Sequence, residues 1–349
     1  MKRILPFLFV FLPLLSLASG PTFGGNMPPI TQSNFVPDTD QFNLALSYLR
    51  PGDIARVQTM EWEVLWDPAG TYNFTSIDLA VRTMAKKNVQ GLWLLQPSPY
   101  PTSPWYASTW SDPWLPRRDL WPAVMAMNTK IVLHIISETR KYARTPPLFQ
   151  IWNEPEGGKP GGSTTSKFGE WVPSMHELFY LLVNDLRIHG VPKNQLVAPA
   201  ISSFGEGSPK EAAELATMMP PPEFDWLSQC GFRACHIRFS ANWAKGDLTK
   251  IRRGFQGNLD WVNWSTGQYK WPVDQQVIIT EFYVTPGDCG VPIGTDMYPF
   301  HSIAFDLLKA SSFSHVIGYG MRPGETDNPT DPWSQFGGLG ASLVRWRGL

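Results

Sequence analysis

The chain has 349 residues, 29 Lys and Arg against 30 Asp and Glu, and 43% hydrophobic residues. That is enough apolar material for one sizeable core, and it does not require a second domain. The balanced charge, with no basic run, argues against a nucleic-acid partner.

Lys2 and Arg3 open the chain, Ile4 to Leu17 is apolar apart from Ser16, and Ser16 and Ala18 are small residues at the spacing a signal peptidase reads. We therefore expect residues 1–18 to be a signal peptide and residues 19–349 to form the exported domain, secreted or periplasmic. The apolar stretch is short for a membrane span, so no stable membrane insertion is expected after cleavage; a retained anchor is the alternative.

Beyond it, Gly20 to Pro29 reads as a Gly/Pro-rich lead-in, Ile30 to Val36 as strand 1 and Ile54 to Met60 as strand 2, with Arg56 in mid-strand. Trp62 and Trp66 precede the turn Asp67-Pro68-Ala69-Gly70, and Ile77 to Lys87 reads as a helix. Gly91 to Gln96 is strand 3. The long loop from Pro97 to Pro122 carries Trp105 and is a candidate cleft wall. A helix over Leu120–Ala143 leads to strand 4, Leu148 to Trp152, and the Gly-rich stretch from Glu156 to Ser166 follows Glu154. Trp171 to Gly190 is a helix, Gln195 to Ala200 strand 5, and Gly207 to Pro222 contains a further helix. Arg233 to Phe239 is strand 6, with Trp243 just after it. Gln276 to Glu281 is strand 7, Thr295 to Ser311 a helix, His315 to Tyr319 strand 8 and Gly340 to Trp346 a last helix.

The three cysteines after the leader, Cys230, Cys235 and Cys289, are odd in number, and the spacing leaves open whether Cys230 and Cys235 form a disulfide. Asn73-Phe74-Thr75 and Asn263-Trp264-Ser265 fit the N-glycosylation pattern.

Two of these strands end on an acid. Leu148-Phe149-Gln150-Ile151-Trp152 runs into Asn153-Glu154-Pro155, and Val277-Ile278-Ile279-Thr280 runs into Glu281. A carboxylate at the end of a buried strand is costly unless it has partners or a task. Glu154 and Glu281 lie 127 positions apart. At about 40 residues per βα unit, that is three units, which predicts ends of strands 4 and 7 of an α/β (β/α)8 TIM barrel, in a single domain. Strand ends in that barrel open onto one face, where active sites lie.

Trp152-Asn153-Glu154-Pro155 and Ile279-Thr280-Glu281 resemble the clan A retaining glycoside hydrolases, and families 39 and 5 within it are the closest in pattern. The resemblance covers most of the exported chain in layout and is specific around these two runs and a few supporting positions. It implies a retaining β-glycosidase that cleaves an oligo- or polysaccharide by double displacement. Glu154 is then the acid/base and Glu281 the nucleophile, their carboxyl groups about 5–5.5 Å apart. While Glu281 is ionised, its charge keeps Glu154 protonated; esterification of Glu281 removes that charge and frees Glu154 to act as base. By the same resemblance Asn153 holds the sugar 2-hydroxyl and Arg56 orients the nucleophile.

His236 is a subsite residue or a satisfied core histidine. Two residues on, where the clan often has Tyr, the chain has Arg238, so the contact to the nucleophile is either absent or supplied from elsewhere, with Tyr283 as a candidate. The strand 8 Trp of the clan is replaced by Tyr319-Gly320-Met321, with Trp333 as a substitute platform. Trp62, Trp105 and Trp243 are candidates for stacking on sugar faces, while half or more of the 16 Trp are expected in the core. No metal or organic cofactor is implied. The rival readings are a non-catalytic carbohydrate-binding barrel and a metal-dependent hydrolase built on His236.

Overall fold

The computed structural model describes residues 20–27, 31–33, 36–58, 72–95, 116, 118–153, 168–201, 219–268, 275–319 and 338–349. Among them, eight strands close a barrel: β1 (Thr22–Met27), β2 (Ile54–Gln58), β3 (Gln90–Leu94), β4 (Leu148–Gln150), β5 (Leu196–Ile201), β6 (Phe232–Arg238), β7 (Gln276–Tyr283) and β8 (His315–Gly318). Every neighbouring pair is parallel, and β8 returns to β1 with Thr22 opposite His315 and Gly25 opposite Gly318. This is the expected (β/α)8 barrel. Helices lie between the strands: α1 (Asp40–Ser47), α2 (Thr75–Lys87), α3 (Trp121–Tyr142), α4 (Phe168–Ile188), α5 (Leu248–Gln268), the single turn α6 (Pro286–Cys289), α7 (Tyr298–Lys309) and α8 (Leu339–Trp346). The helix expected in Gly207–Pro222 falls largely outside the described residues.

The first strand is not where the sequence pattern puts it. Of the expected strand, the described Thr31–Ser33 and Val36 belong to a separate antiparallel pair, Thr31–Ser33 with Val36–Asp38, apart from the barrel. The apparent lead-in supplies β1 instead. Its glycines are there because two backbones meet closely: a Cβ placed on Gly24 would lie 2.0 Å from the carbonyl oxygen of Ile54 on β2. The sequence pattern also gives no helix between strands 6 and 7, where α5 lies. Gly254 and Gly257 obscure it, and a Cβ on Gly254 would come within 2.5 Å of the Ala241 Cβ. That glycine lets the helix press onto the loop after β6.

The barrel interior begins with an apolar layer: Ile54, Leu92, Leu148, Val197, Ala200, Ala234, Ile278 and Ile317, all buried, with Gly24 completing the ring from β1. Side chains from the strands fill the barrel as a solid core. The outer strand faces join the helices in a second core that includes Trp93, Trp152, Phe149, Phe239, Phe282 and Phe305. Among the described residues, Trp93, Trp121, Trp152 and Trp226 are buried.

The open question of the disulfide is settled against a bridge. Cys230, Cys235 and Cys289 are free, buried thiols, and burial pushes each up to about 12. Cys235 sits within extended β6, which climbs about 3.3 Å per residue and carries it beyond bridging reach of Cys230 in the turn below.

Candidate active site

Above the apolar layer lies a polar one. Alternation carries the inner face from Gly24 to Asn26 on β1, from Ile54 to Arg56 on β2, from Leu148 to Gln150 on β4 and from Ala234 to His236 on β6. On β7 simple alternation fails. Cys235 and His236, adjacent on β6, stand opposite Ile279 and Glu281, and the β8 pairing also counts one extra residue on β7. Thr280 is therefore a bulge residue. It resets the phase, so Ile278 and Glu281 both point inward while Ile279 and Phe282 pack outward in the outer core.

Arg56 is the centre of this layer and is fully buried. Its Nη1 donates to Glu281 Oε1 at 2.7 Å and to Asn26 Oδ1 at 3.0 Å, its Nε to Gln150 Oε1 at 2.8 Å, and its Nη2 to Asn153 Oδ1 at 2.7 Å. Gln150 Nε2 in turn donates to the Trp152 carbonyl at 2.7 Å and to Asn153 Oδ1 at 3.3 Å. With its oxygen held by two donors, the Asn153 amide presents its NH2 group away from Arg56. Asn153 lies just past β4, bridged to Ala200 on β5. The residue after it, Glu154, lies outside the described residues, as do Trp62, Trp105, Trp333, Gly320 and Met321.

Glu281 is 8% exposed. Among the described residues all its side-chain polar contacts fall on Oε1: the Arg56 bond, and His236 Nε2 at 3.7 Å, longer than a hydrogen bond. Oε2 takes no side-chain hydrogen bond there. A carboxylate with one oxygen fixed by a guanidinium and the other unengaged can attack an electrophilic carbon or support a cation beside it.

Of the other predicted residues, His236 is buried beside Glu281. Tyr283 follows two residues after Glu281, opposite Arg238 in the β6–β7 register, with the Arg238 guanidinium 5.9 Å from its ring centre. Arg238 also donates through Nε to Asp288 Oδ1 at 2.7 Å, and Asp288 is itself fixed by the Thr285 capping box. Trp243 is 56% exposed in the short turn Asn242–Ala244 that follows β6. The loop holding it is clamped to the loop after β7, Ala241 N donating to Asp288 O at 2.7 Å and Gly246 N to Cys289 O at 2.9 Å.

Sequence reasoning missed Asn26 and Gln150. Gln150 had a signal, a lone amide inside an otherwise apolar run two residues above inward Leu148. Asn26 had none once its strand was read as lead-in.

No protein-family model matches the chain, and no curated protein matches it. Solved structures do. A GH5_18 protein from Bifidobacterium longum, in complex with Manβ1-4GlcNAc, is 12% identical with a TM-score of 0.62, over 94% of this chain and 78% of its own. A GH5-4 broad-specificity endoglucanase from Clostridium acetobutylicum is 11% identical with a TM-score of 0.58, over 94% and 96%. A family 39 glycoside hydrolase from Bacteroides cellulosilyticus is 13% identical with a TM-score of 0.55; the match covers 91% of this chain and 60% of that one. At such identities the likeness is one of fold.

Proposed function

We propose that this protein is a retaining β-glycoside hydrolase, with Glu281 as nucleophile and Glu154 as acid/base. The observation that carries the reading is the Arg56–Glu281 pair: a buried guanidinium holds one carboxylate oxygen at 2.7 Å inside the strand-end mouth of a (β/α)8 barrel, and among the described residues the other takes no side-chain hydrogen bond. Asn153, bound to the same Arg56, immediately precedes Glu154 in the sequence, which favours Glu154 as the second carboxylate of the pair. The glycoside hydrolases of similar fold, one crystallised with a β1-4 disaccharide, favour a β-linked glycan as substrate.

In the first step Glu281 attacks the anomeric carbon while Glu154 protonates the departing oxygen. In the second, Glu154 takes a proton from water, which displaces Glu281. The Arg56 charge stabilises Glu281 as it departs. Residues 1–18 as a cleaved export signal belong to the same proposal, tested by the N-terminal mass of the mature protein.

The function is tested on a panel of β-linked glucans, mannans and xylans together with aryl β-glycosides. Sugar release by the wild type that Glu281→Ala abolishes supports it. Release that Glu281→Ala leaves intact contradicts it, and binding of these glycans without any release would identify a carbohydrate-binding barrel instead.

A further inference from the structure

Arg56 donates to four acceptors, and only one of them carries charge. Asn26, Gln150 and Asn153 offer amide oxygens; Glu281 alone offers a carboxylate. Gln150 is fully buried and is fastened at both ends of its amide, its oxygen on Arg56 Nε and its NH2 group on the Trp152 carbonyl and Asn153 Oδ1. A carboxylate could accept from Arg56 as well as this amide does, but it could not donate to the other two oxygens. Two carboxylates would also divide one positive charge in a site where burial makes an uncompensated charge expensive.

We propose that Gln150 is a positioning residue whose neutrality reserves the charge of Arg56 for Glu281. It saturates the side of the guanidinium facing β4, fixes the rotation of its plane about the Cδ–Nε bond, and adds no competing negative charge. The same amide helps hold Asn153 with its oxygen inward and its NH2 group turned away from Arg56, available to a sugar hydroxyl oxygen. This inference rests on the proposed function for its catalytic meaning, but not for its electrostatics.

The test compares wild type with Gln150→Glu, which keeps the shape and adds a carboxylate, and Gln150→Met, which keeps the volume and removes the polar group. The substrate is a dinitrophenyl β-glycoside, whose leaving group departs without a proton, so the acid limb of the rate profile reports the nucleophile side. Q150E is expected to move that limb to higher pH by about one unit or more, since a like charge disfavours ionisation of its neighbour. Q150M is expected to lower kcat about tenfold or more with the limb in place, through loss of guanidinium alignment.

Asn26→Asp, which adds the carboxylate at Nη1, is expected to repeat the Q150E shift if Q150E does not fold. Limbs at the wild-type pH in these charged variants would overturn the proposal, whatever happens to kcat. A second readout needs no substrate: Q150E should lose more melting temperature relative to wild type at pH 8 than at pH 5, because its added carboxyl must ionise without a cation of its own. Parallel melting profiles overturn the inference. A wild type that cleaves no glycoside overturns the proposed function and leaves the melting comparison to decide this one.

Discussion

Glu281 and Arg56 sit where neither side chain could be tolerated alone. A charge as buried as Arg56 needs a counter-charge, and removing one member strands the other at about 3–5 kcal/mol. Arg56→Met is therefore expected to lower stability by about that amount, and Arg56→Met with Glu281→Met to recover part of the loss, as measured by denaturant melts around the cycle. Glu281→Gln keeps the volume and the acceptor oxygen, so it should fold while losing the proposed nucleophile; kcat is expected to drop by about 10³-fold or more. Glu154→Ala should slow poor leaving groups far more than dinitrophenyl ones, since the task proposed for it is protonation.

Much at this scale is legible from sequence. Arg56 and His236 are found by their place in strands, Asn153 as the residue before Glu154, and Glu281 by its position at the end of an apolar run; the roles expected of Arg56 and Asn153 come from the family resemblance. Its direction is not legible. Strict alternation from Ile278 would turn Thr280 inward and Glu281 outward, and nothing in Ile278-Ile279-Thr280-Glu281 marks the bulge that reverses this.

At the scale of elements, local rules read most strands correctly because β2 to β8 are short apolar runs between turns. They fail at β1, where the constraint is close approach to β2 rather than propensity. Gly24→Ala puts this to the test. Its Cβ would stand 2.0 Å from Ile54 O, so the barrel must open at that seam; a loss of about 3 kcal/mol or more in thermal or denaturant melts is expected. A Gly24→Ala protein as stable as wild type would show that the seam is not closely packed.

Helix α3 carries the opposite kind of irregularity. Asn128 is 1% exposed, and among the described residues neither end of its amide has a hydrogen-bond partner. Asn128→Leu should raise stability by about 1 kcal/mol or more, because it removes an unsatisfied buried amide.

For the whole molecule, burial also sets the response to pH. His301, bonded to Ser342 Oγ and facing the Val284 carbonyl, and His315, at the base of β8 against Phe232, are each pushed down to about 4 by desolvation. Above pH 6.5 both are neutral, folded or unfolded, and contribute no slope. Between 6.5 and 4 the unfolded chain takes up protons that the folded one refuses, so stability falls as pH falls, by about 2–3 kcal/mol per group. Below about 4 that contribution levels off. Melting temperatures from pH 8 to 4 check this, and His301→Gln should flatten part of the decline.

At this scale the barrel was foreseeable from the spacing of two glutamates, because equal βα units bring distant strand ends to one mouth. In the proposed mechanism Glu281 forms a covalent bond to the sugar during turnover. Incubation with an activated 2-deoxy-2-fluoro β-glycoside of the preferred sugar, followed by peptide mass mapping, tests this most directly. One fluoroglycosyl ester per molecule is expected, located on Glu281. Turnover of the parent substrate with the label on another residue, or with no label formed, would contradict it.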